Sequence, residues 1–527
     1  MNAWSRRALF AIVAVAALLA GCDSPAPGSA ANGGSTTATP DPNAFTILAG
    51  SELKDMEAAL SDAARKAGVP VRFSYAGTLD IVERVNGGER VDAILPPNGA
   101  YPSLALAAKP VAREKLFYSR VAIGVKTGKA HELHWDTATP TWSDIARAAK
   151  AGQFRYGMTN PTSSNTGMSA LFAVASAVAH KTEDLTIAEV DASVLKDFLS
   201  GQALTAGSSG WLAEAFEKNP ASVDGLINYE AVLLRLNEKL GASDKLVLIY
   251  PTDGVISADY PLMLLNAGKR DAWQKIVDAL KSVPFQRDML QAAYLRPSNV
   301  DAPLAAALPK TAVAELTFPN SLDVVDQILS AYQSDWRKPA TSIFVLDVSG
   351  SMEGERMTAM RDALKVLSGV NAAPGSARYT RFQNRERVVL ISFSTDVAPP
   401  KTISFEGALD SARTDVRDYA DHLRARGSTA IYSALAAAED EAEKERKADP
   451  QRYVSIVLLT DGENNQGISA AEFKARYAKS PVRIFTILFG EADPRELRQL
   501  AELSGGRAFD ARKAALGSVF KEIRGYQ

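Results

Sequence analysis

Short apolar runs alternate with stretches of helical spacing along most of this chain. Between 44 and about 300, FTIL at 45–48 reads as a strand. LKDMEAALSDAARKA places apolar residues at helical intervals and predicts a helix starting near Ser51. VRFSYAG, LDIVERV and DAIL repeat the alternation. From 341 onward it is cleaner. IFVL (343–346), VVLISF (388–393), SIVLLT (455–460) and RIFTILF (483–489) are continuously apolar, as in strands covered on both faces. Helical patterns lie between and after them at 356–367, 410–423, 430–447, 470–477, 494–503 and 515–523. Strand–helix alternation predicts an α/β protein with mostly parallel sheets. The last roughly 190 residues read as one doubly wound sheet.

Two segments break the pattern. Residues 301–340 carry Pro303, Pro309, Pro319 and Pro339, yet SLDVVDQILSAYQSDW from Ser321 reads as one amphipathic helix with Ser321 as cap, hence a structured connector. The first 43 residues stand apart from the fold. Arg6 and Arg7 precede an apolar run at 8–20, shorter than the ~20 residues of a spanning helix and suited to the core of a secretory signal. It ends in LAGC, and this stretch resembles a bacterial lipobox, which implies cleavage before Cys22 and lipidation of that residue. Several acyl chains give stable anchoring. In many lipoproteins of the same kind an aspartate such as Asp23 implies retention at the periplasmic face of the inner membrane. SRRALF partly resembles a twin-arginine signal without its usual Phe-Leu order, and ordinary secretion is the preferred route. Residues 23–43, rich in Pro, Gly, Ser and Thr, read as a flexible tether.

Composition narrows the function. The 527 residues suit roughly three or four bodies at ~150 each. A formal net charge of -2 gives no bulk field toward nucleic acid. The single cysteine, Cys22, excludes an internal disulfide and a cysteine nucleophile in the folded body. No G-x-S-x-G elbow, Walker loop or H-E-x-x-H is present, and His131 and His134 of HELH read as exposed loop residues. The expectation is a binding protein, not an enzyme. SARYTRFQNRER at 376–387 reads as an exposed basic loop, and EDEAEKERKAD at 439–449 as the solvated face of a helix with Glu443 and Lys447 at i,i+4.

The chemistry concentrates at FVLDVSGSM. In a doubly wound sheet, ligands sit beyond the carboxyl ends of the strands. Asp347 follows one apolar strand and Asp461, in LLTDG, follows another; Thr429, in GSTAIYSAL, opens a helix at the same rim. D-x-S-x-S alone also suits a helix cap. Together Asp347, Ser349, Ser351, Thr429 and Asp461 form an all-oxygen set for a hard cation, Mg²⁺ before Ca²⁺ or Mn²⁺. Zn²⁺ prefers nitrogen or sulfur. DVSGSM, GSTAIYSAL and LLTDG, in that order over 341–527, resemble the von Willebrand factor type A domain and its metal-ion-dependent adhesion site. The resemblance implies that Ser349, Ser351 and Thr429 hold the metal, that Asp347 and Asp461 act directly or through water, and that an Asp or Glu of a partner protein completes the shell.

Signals in the first half are more diffuse. Ser51, Thr78 and the loop with Asn160, Ser163, Ser164, Asn165 and Thr166 all stand before helices, where free N–H groups and hydroxyls suit a polar or anionic ligand, or merely cap the helix. LAGSELKDM, FSYAGTLDIVERV, TWSDIARAAKAGQFRYGMTNPTSSNTG and GLINYEAVL, followed by LIYPTDGVISADYPLMLL, resemble a type II extracellular solute-binding protein. That implies two lobes, about 44–125 with 245–300 and about 126–244, and a cleft lined by Ser51, Thr78, the 160–167 loop, Tyr229 and GSSG at 207–210. The whole chain resembles bacterial lipoproteins that fuse the two domains. The resulting expectation is a membrane-anchored extracytoplasmic binding protein. A transporter's solute receptor with the type A domain as accessory, and an assembly factor recruiting a protein machine, are the alternatives.

Overall fold

FTILAG buries five of its six residues and starts the first of two sheets in the N-terminal half of the computed structural model. The structure describes residues 43–527 except 182, 370–376, 491–492, 513–515 and 527. The signal, Cys22 and almost all of the tether therefore lie outside the described residues. Among the described residues no helix is long and apolar enough to cross a membrane. In chain order the strands of this half are β1 (Phe45–Gly50), β2 (Val71–Ala76), β3 (Ala93–Leu95), β4 (Ala112–Lys115), β5 (Phe117–Lys126), β6 (Tyr156–Thr159), β7 (Gln202–Ala206), β8 (Gly225–Tyr229), β9 (Leu246–Ile249), β10 (Ser257–Ala258), β11 (Pro261–Leu264) and β12 (Arg296–Pro297). One sheet has the order β2-β1-β3-β11-β4; the other runs β10-β5-β8-β6-β7, with β9 and β12 also pairing β5.

The lobes divide at different points from those expected. The chain crosses between β4 and β5 near Leu116, not near 125, and returns between β10 and β11, not near 245. The expected bounds near 125 and 245 fall at β5 and β9, which are neighbouring strands of the second sheet, with Ile123 opposite Ile249. The two crossings lie side by side: Leu116 N–H donates to Tyr260 O at 3.2 Å. A buried carboxylate fastens the second sheet beside them. Glu230, fully buried, accepts from Arg296 Nε and Nη2 at 2.6 and 2.9 Å, from Tyr250 OH at 2.7 Å and from Arg120 N–H at 3.0 Å. Leaving either partner of such a pair alone costs about 3–5 kcal/mol.

The C-terminal half is built on β13 (Ala340–Asp347), whose eight residues are all buried. With β14 (Glu386–Phe393), β15 (Lys401–Ser404), β16 (Tyr453–Thr460), β17 (Arg483–Leu488) and β18 (Ala508–Asp510) it forms a sheet of order β15-β14-β13-β16-β17-β18. Only β15 is antiparallel to its neighbour. Side chains alternate between two apolar layers, as a strand's two-residue period requires. Ile343 and Val345 join one layer with Leu435 and Ala438 of the helix Ile431–Ala448. Phe344 and Leu346 join the other, where Phe344 stands 5.8 Å from the rings of both Phe382 and Phe520. Burying a side chain of this size contributes about 2–3 kcal/mol.

Four further expectations change. The helix expected near Ser51 begins as a 3₁₀ turn, Ser51–Met56, and becomes α-helical at Glu57–Lys66. Ser321 occupies the cap position of Leu322–Ala331 but makes no capping side-chain bond, and the helix ends in a π-turn at Tyr332–Trp336. The described part of the basic segment is not an exposed loop. Tyr379 and Phe382 are core residues, and buried Glu386 receives Arg337 and Arg524. The charged run at 439–449 does pair Lys447 with Glu443 at 2.7 Å. Glu439 and Glu445, however, turn inward to the hydroxyls of Ser480 and Thr341. Residues 43–527 form one compact unit.

Candidate metal centre and the cleft between the lobes

The parallel strands β13 and β16 end side by side, and that register brings Asp347 and Asp461 together. Asp347 is the last residue of β13; Asp461 follows Thr460, the last of β16. Asp347 Oδ1 accepts Ser349 N–H at 2.8 Å and Oδ2 accepts Thr460 Oγ1–H at 2.6 Å. Ser349 Oγ lies 3.1 Å from Ser351 Oγ, which donates to Asp461 Oδ1 at 2.7 Å. Thr429 is held by backbone bonds from Asn465 and Gln466 to its carbonyl and by its own N–H to Asn465 Oδ1 at 2.8 Å. A methyl group added at Gly462 would stand 3.5 Å from Thr429 Oγ1 and 3.8 Å from Ser351 Oγ, so both hydroxyls converge on the space beside that residue. Asp347, Ser349, Thr429 and Asp461 are buried; Ser351 is exposed and opens the site to solvent.

All five residues read from the sequence therefore share one rim. Among the described residues no group of three or more His, Cys, Asp or Glu could hold a metal. The donor set here is three hydroxyls and two carboxylates, which fits a hard divalent cation. Burial pushes the Asp347 carboxyl up; bonds from Ser349 and Thr460 oppose that, and the nearby Asp461 charge adds to it.

Arg356 was not read from the sequence as a site residue. In the first turn of Glu355–Ser368, its Nη1 donates to Asp461 Oδ2 and, at 3.2 Å, to Ser351 O. A cation on a candidate metal carboxylate competes with the metal. Arg356→Gln is expected to tighten Mg²⁺ binding several-fold, on the order of 1 kcal/mol for a partly exposed pair, as titration calorimetry would show. Weaker binding would mean that Arg356 instead holds Asp461 in position. Beside this rim a pocket of about 550 Å³ is lined by Val348, Ser394, Asp396, Arg424, Arg426 and Gly427, among others.

The candidate cleft residues divide into three groups, with Ser51 apart from them. Thr78, Asn165 and Tyr229 lie deep between the lobes. Asn165 Nδ2 donates to Tyr229 OH at 3.0 Å, while Asn165 Oδ1 and Thr78 Oγ1 are buried without a hydrogen bond inside the protein. Ser164 and Thr166 are used internally: Thr166 Oγ1 lies 2.7 Å from Thr159 Oγ1 and 3.3 Å from Ser164 Oγ. Asn160 and Ser163 face the C-terminal helix Leu516–Arg524 and the residues that follow it. Ser51 begins the 3₁₀ turn and is half-buried. A Cβ at Gly77 would collide with Ser163 O, so the lobes meet there in backbone contact.

The residue sequence reasoning missed here is Glu52. An acidic residue in the first turn of a helix reads as dipole compensation. Its Oε1 is instead sealed from solvent without a partner, close to Tyr260 and Tyr229, whose rings are 6.1 Å apart. Burial pushes the Glu52 carboxyl up to about 7, against bonds from its own backbone and Tyr260 and the charge of Arg235. His131 and His134 are exposed, as expected, but His131 lies in the helix Thr127–Glu132 and not in a loop.

Comparison with known proteins agrees with this architecture. Residues 45–289 match the family model for bacterial extracellular solute-binding proteins, and residues 343–522 match that for the von Willebrand factor type A domain. Inter-alpha-trypsin inhibitor heavy chain H4 of Sus scrofa is 30% identical over 133 residues, 24% of this chain and 13% of its own length. Heavy chain H3 of Bos taurus is 34% identical over 138 residues, 25% of this chain and 14% of its own. This chain thus spans only a small part of those relatives. Among solved structures, a ferric binding protein from Campylobacter jejuni covers 55% of this chain and 98% of its own at 14% identity and a TM-score of 0.44. A von Willebrand factor type A protein from Catenulispora acidiphila covers 36% and 42% at 20% identity and a TM-score of 0.30.

Proposed function

We propose, for a chain that carries a bacterial extracellular solute-binding domain followed by a von Willebrand factor type A domain, an extracytoplasmic binding protein that docks a partner protein through a divalent cation. The observation that carries this reading is the convergence of Ser349, Ser351, Thr429, Asp347 and Asp461 on one solvent-open rim. Ser349, Ser351 and Thr429 would hold the cation, Mg²⁺ first, with the two carboxylates acting directly or through water. When bound, the cation supplies an electrophilic position for a carboxylate. The chain's own groups set the charge. Asp347 and Asp461 bring two negative charges and Arg356 returns one, so a divalent ion leaves the rim positive. Two opposite unit charges 4 Å apart near a protein surface attract by about 4 kcal/mol. That sign selects an Asp or Glu on the partner.

Both families are generally binding or adhesion domains, and no catalytic role is proposed. The match to a bacterial extracellular family supports a location outside the cytoplasm. Lipid anchoring through Cys22 at the periplasmic face of the inner membrane completes the reading. Titration calorimetry with Mg²⁺ tests the metal claim: the Ser349→Ala, Ser351→Ala double variant is expected to show no measurable binding. Unchanged affinity would remove the proposal.

A second reading concerns the cleft. Glu52 Oε1 and Asn165 Oδ1 are buried acceptors and Thr78 Oγ1 a buried hydroxyl, each without a partner inside the protein at a cost of about 1–3 kcal/mol. Such a lining favours a small neutral or cationic solute rich in N–H or O–H groups over an anionic one. This is the observation that favours the solute-receptor alternative. A pull-down with and without chelator separates the two readings, because docking through the cation vanishes with the metal and solute reception does not.

A further inference from the structure

The C-terminal helix Leu516–Arg524 and the residues after it touch both lobes at the cleft. On lobe one, Lys521 Nζ lies 2.6 Å from Asp80 Oδ1 and 2.6 Å from Glu83 Oε2, both on the helix Thr78–Asn86 whose first residue lines the cleft. On lobe two, Asn160 Nδ2 donates to Arg524 O at 3.3 Å, and Tyr526 stacks on Trp211 at 5.8 Å and 23°. Arg507 lies 3.5 Å over the ring of Trp211 and donates to Tyr526 OH at 2.6 Å. Gly525 approaches so closely that an added Cβ would stand 2.9 Å from Gly207 Cα and 3.2 Å from Ser163 Oγ. Asn160, Ser163 and Gly207 are residues expected to face a solute. Here they face the end of the chain.

We propose that this C-terminal segment is the cleft's built-in partner: a staple that binds both lobes and holds them closed over the buried polar atoms of Glu52, Thr78 and Asn165. The proposal rests on the reading of residues 44–300 as two hinged lobes. Opening such a cleft moves Asp80 and Glu83 away from Asn160 and Gly207, and the helix holds both sides at once. The two attachments differ in kind. Lobe one is gripped by partly exposed ion pairs, which are weak and reversible. Lobe two is gripped by an aromatic stack, a cation over an indole and close backbone packing, which persist when charges change. Release therefore begins at Lys521, and solute access becomes a property of the type A half.

The test uses distances between paired spin labels on the full chain carrying Cys22→Ser, since Cys22 is its only cysteine. Arg90→Cys with Lys218→Cys reports lobe to lobe; Arg90→Cys with Gly517→Cys reports lobe one to the C-terminal helix. All three positions are exposed. The otherwise unaltered protein is expected to give one narrow distance for each pair. Lys521→Glu places like charges against Asp80 and Glu83, and both distances should lengthen and broaden together. Adding Asp80→Lys and Glu83→Lys should restore them, which separates lost pairing from general unfolding. A broad lobe-to-lobe distribution before any charge change overturns the staple and leaves the hinge standing, as does opening with the helix still on lobe one. Unchanged distances in Lys521→Glu also overturn the staple. A helix that leaves lobe one while the lobes stay closed overturns the hinged reading itself.

Discussion

Asp347→Asn is expected to lower Mg²⁺ affinity by at least about 100-fold while leaving the metal-free protein folded and no less stable. Altering the outer partners of metal ligands already costs about 10–100-fold, and Asp347 supplies one of the two carboxylates in the candidate donor set. Its position explains the second half of the expectation. The side chain is fully buried, and burial together with Asp461 disfavours its charged form. The neutral amide removes that penalty and still accepts from Ser349 N–H or Thr460 Oγ1. Two measurements check this. Calorimetry reads affinity directly, and thermal unfolding reads linkage, because a ligand that binds only the native state raises the midpoint. The unaltered protein should rise with added Mg²⁺ and Asp347→Asn should not. An equal rise in both would place the cation elsewhere.

The second large effect belongs to Glu52. In the unfolded chain its carboxyl ionises near 4.5; in the fold it holds its proton until about 7. Between these values the native state binds more protons than the unfolded state, so stability falls as pH rises from about 4.5 to about 7 and stays low above. A difference of about 2.5 pKa units corresponds to roughly 3 kcal/mol at most. Glu52→Gln cannot titrate. It should be more stable than the unaltered protein at pH 8, by up to that amount, and indistinguishable at pH 4. Urea unfolding at pH 4, 6 and 8 gives the comparison, and parallel curves at all three would show that Glu52 is not sealed. A donor-rich solute in the cleft would stabilise the charged carboxylate and reverse the slope.

Much of the C-terminal sheet was legible because its strands are buried on both faces. β13, β14, β16 and β17 appear as unbroken apolar runs and lie within two or three residues of where hydrophobicity alone puts them. β15 and β18 did not stand out. KTIS exposes three of its four residues and AFD has three residues in all, so edge strands this short carry no run to recognise. The candidate metal residues were legible for a related reason. Asp347 and Asp461 each sit next to a buried strand end, and parallel strands bring equivalent ends together. The hinge was misplaced because β5 and β9 belong to a sheet that only their partners define.

Local sequence determined where the chain is strand, where it is helix, and which rim holds oxygen donors, since those properties depend on the period and burial of neighbouring residues. Only the tertiary structure decided that Arg356 sits on Asp461, that Glu52 is sealed instead of capping a helix, and that Lys521 reaches Glu83 across 438 positions of chain. A charged side chain looks the same in the sequence whether water or another charge will surround it. The difference lies in what the fold packs against it, and no repeat or spacing along the chain records that.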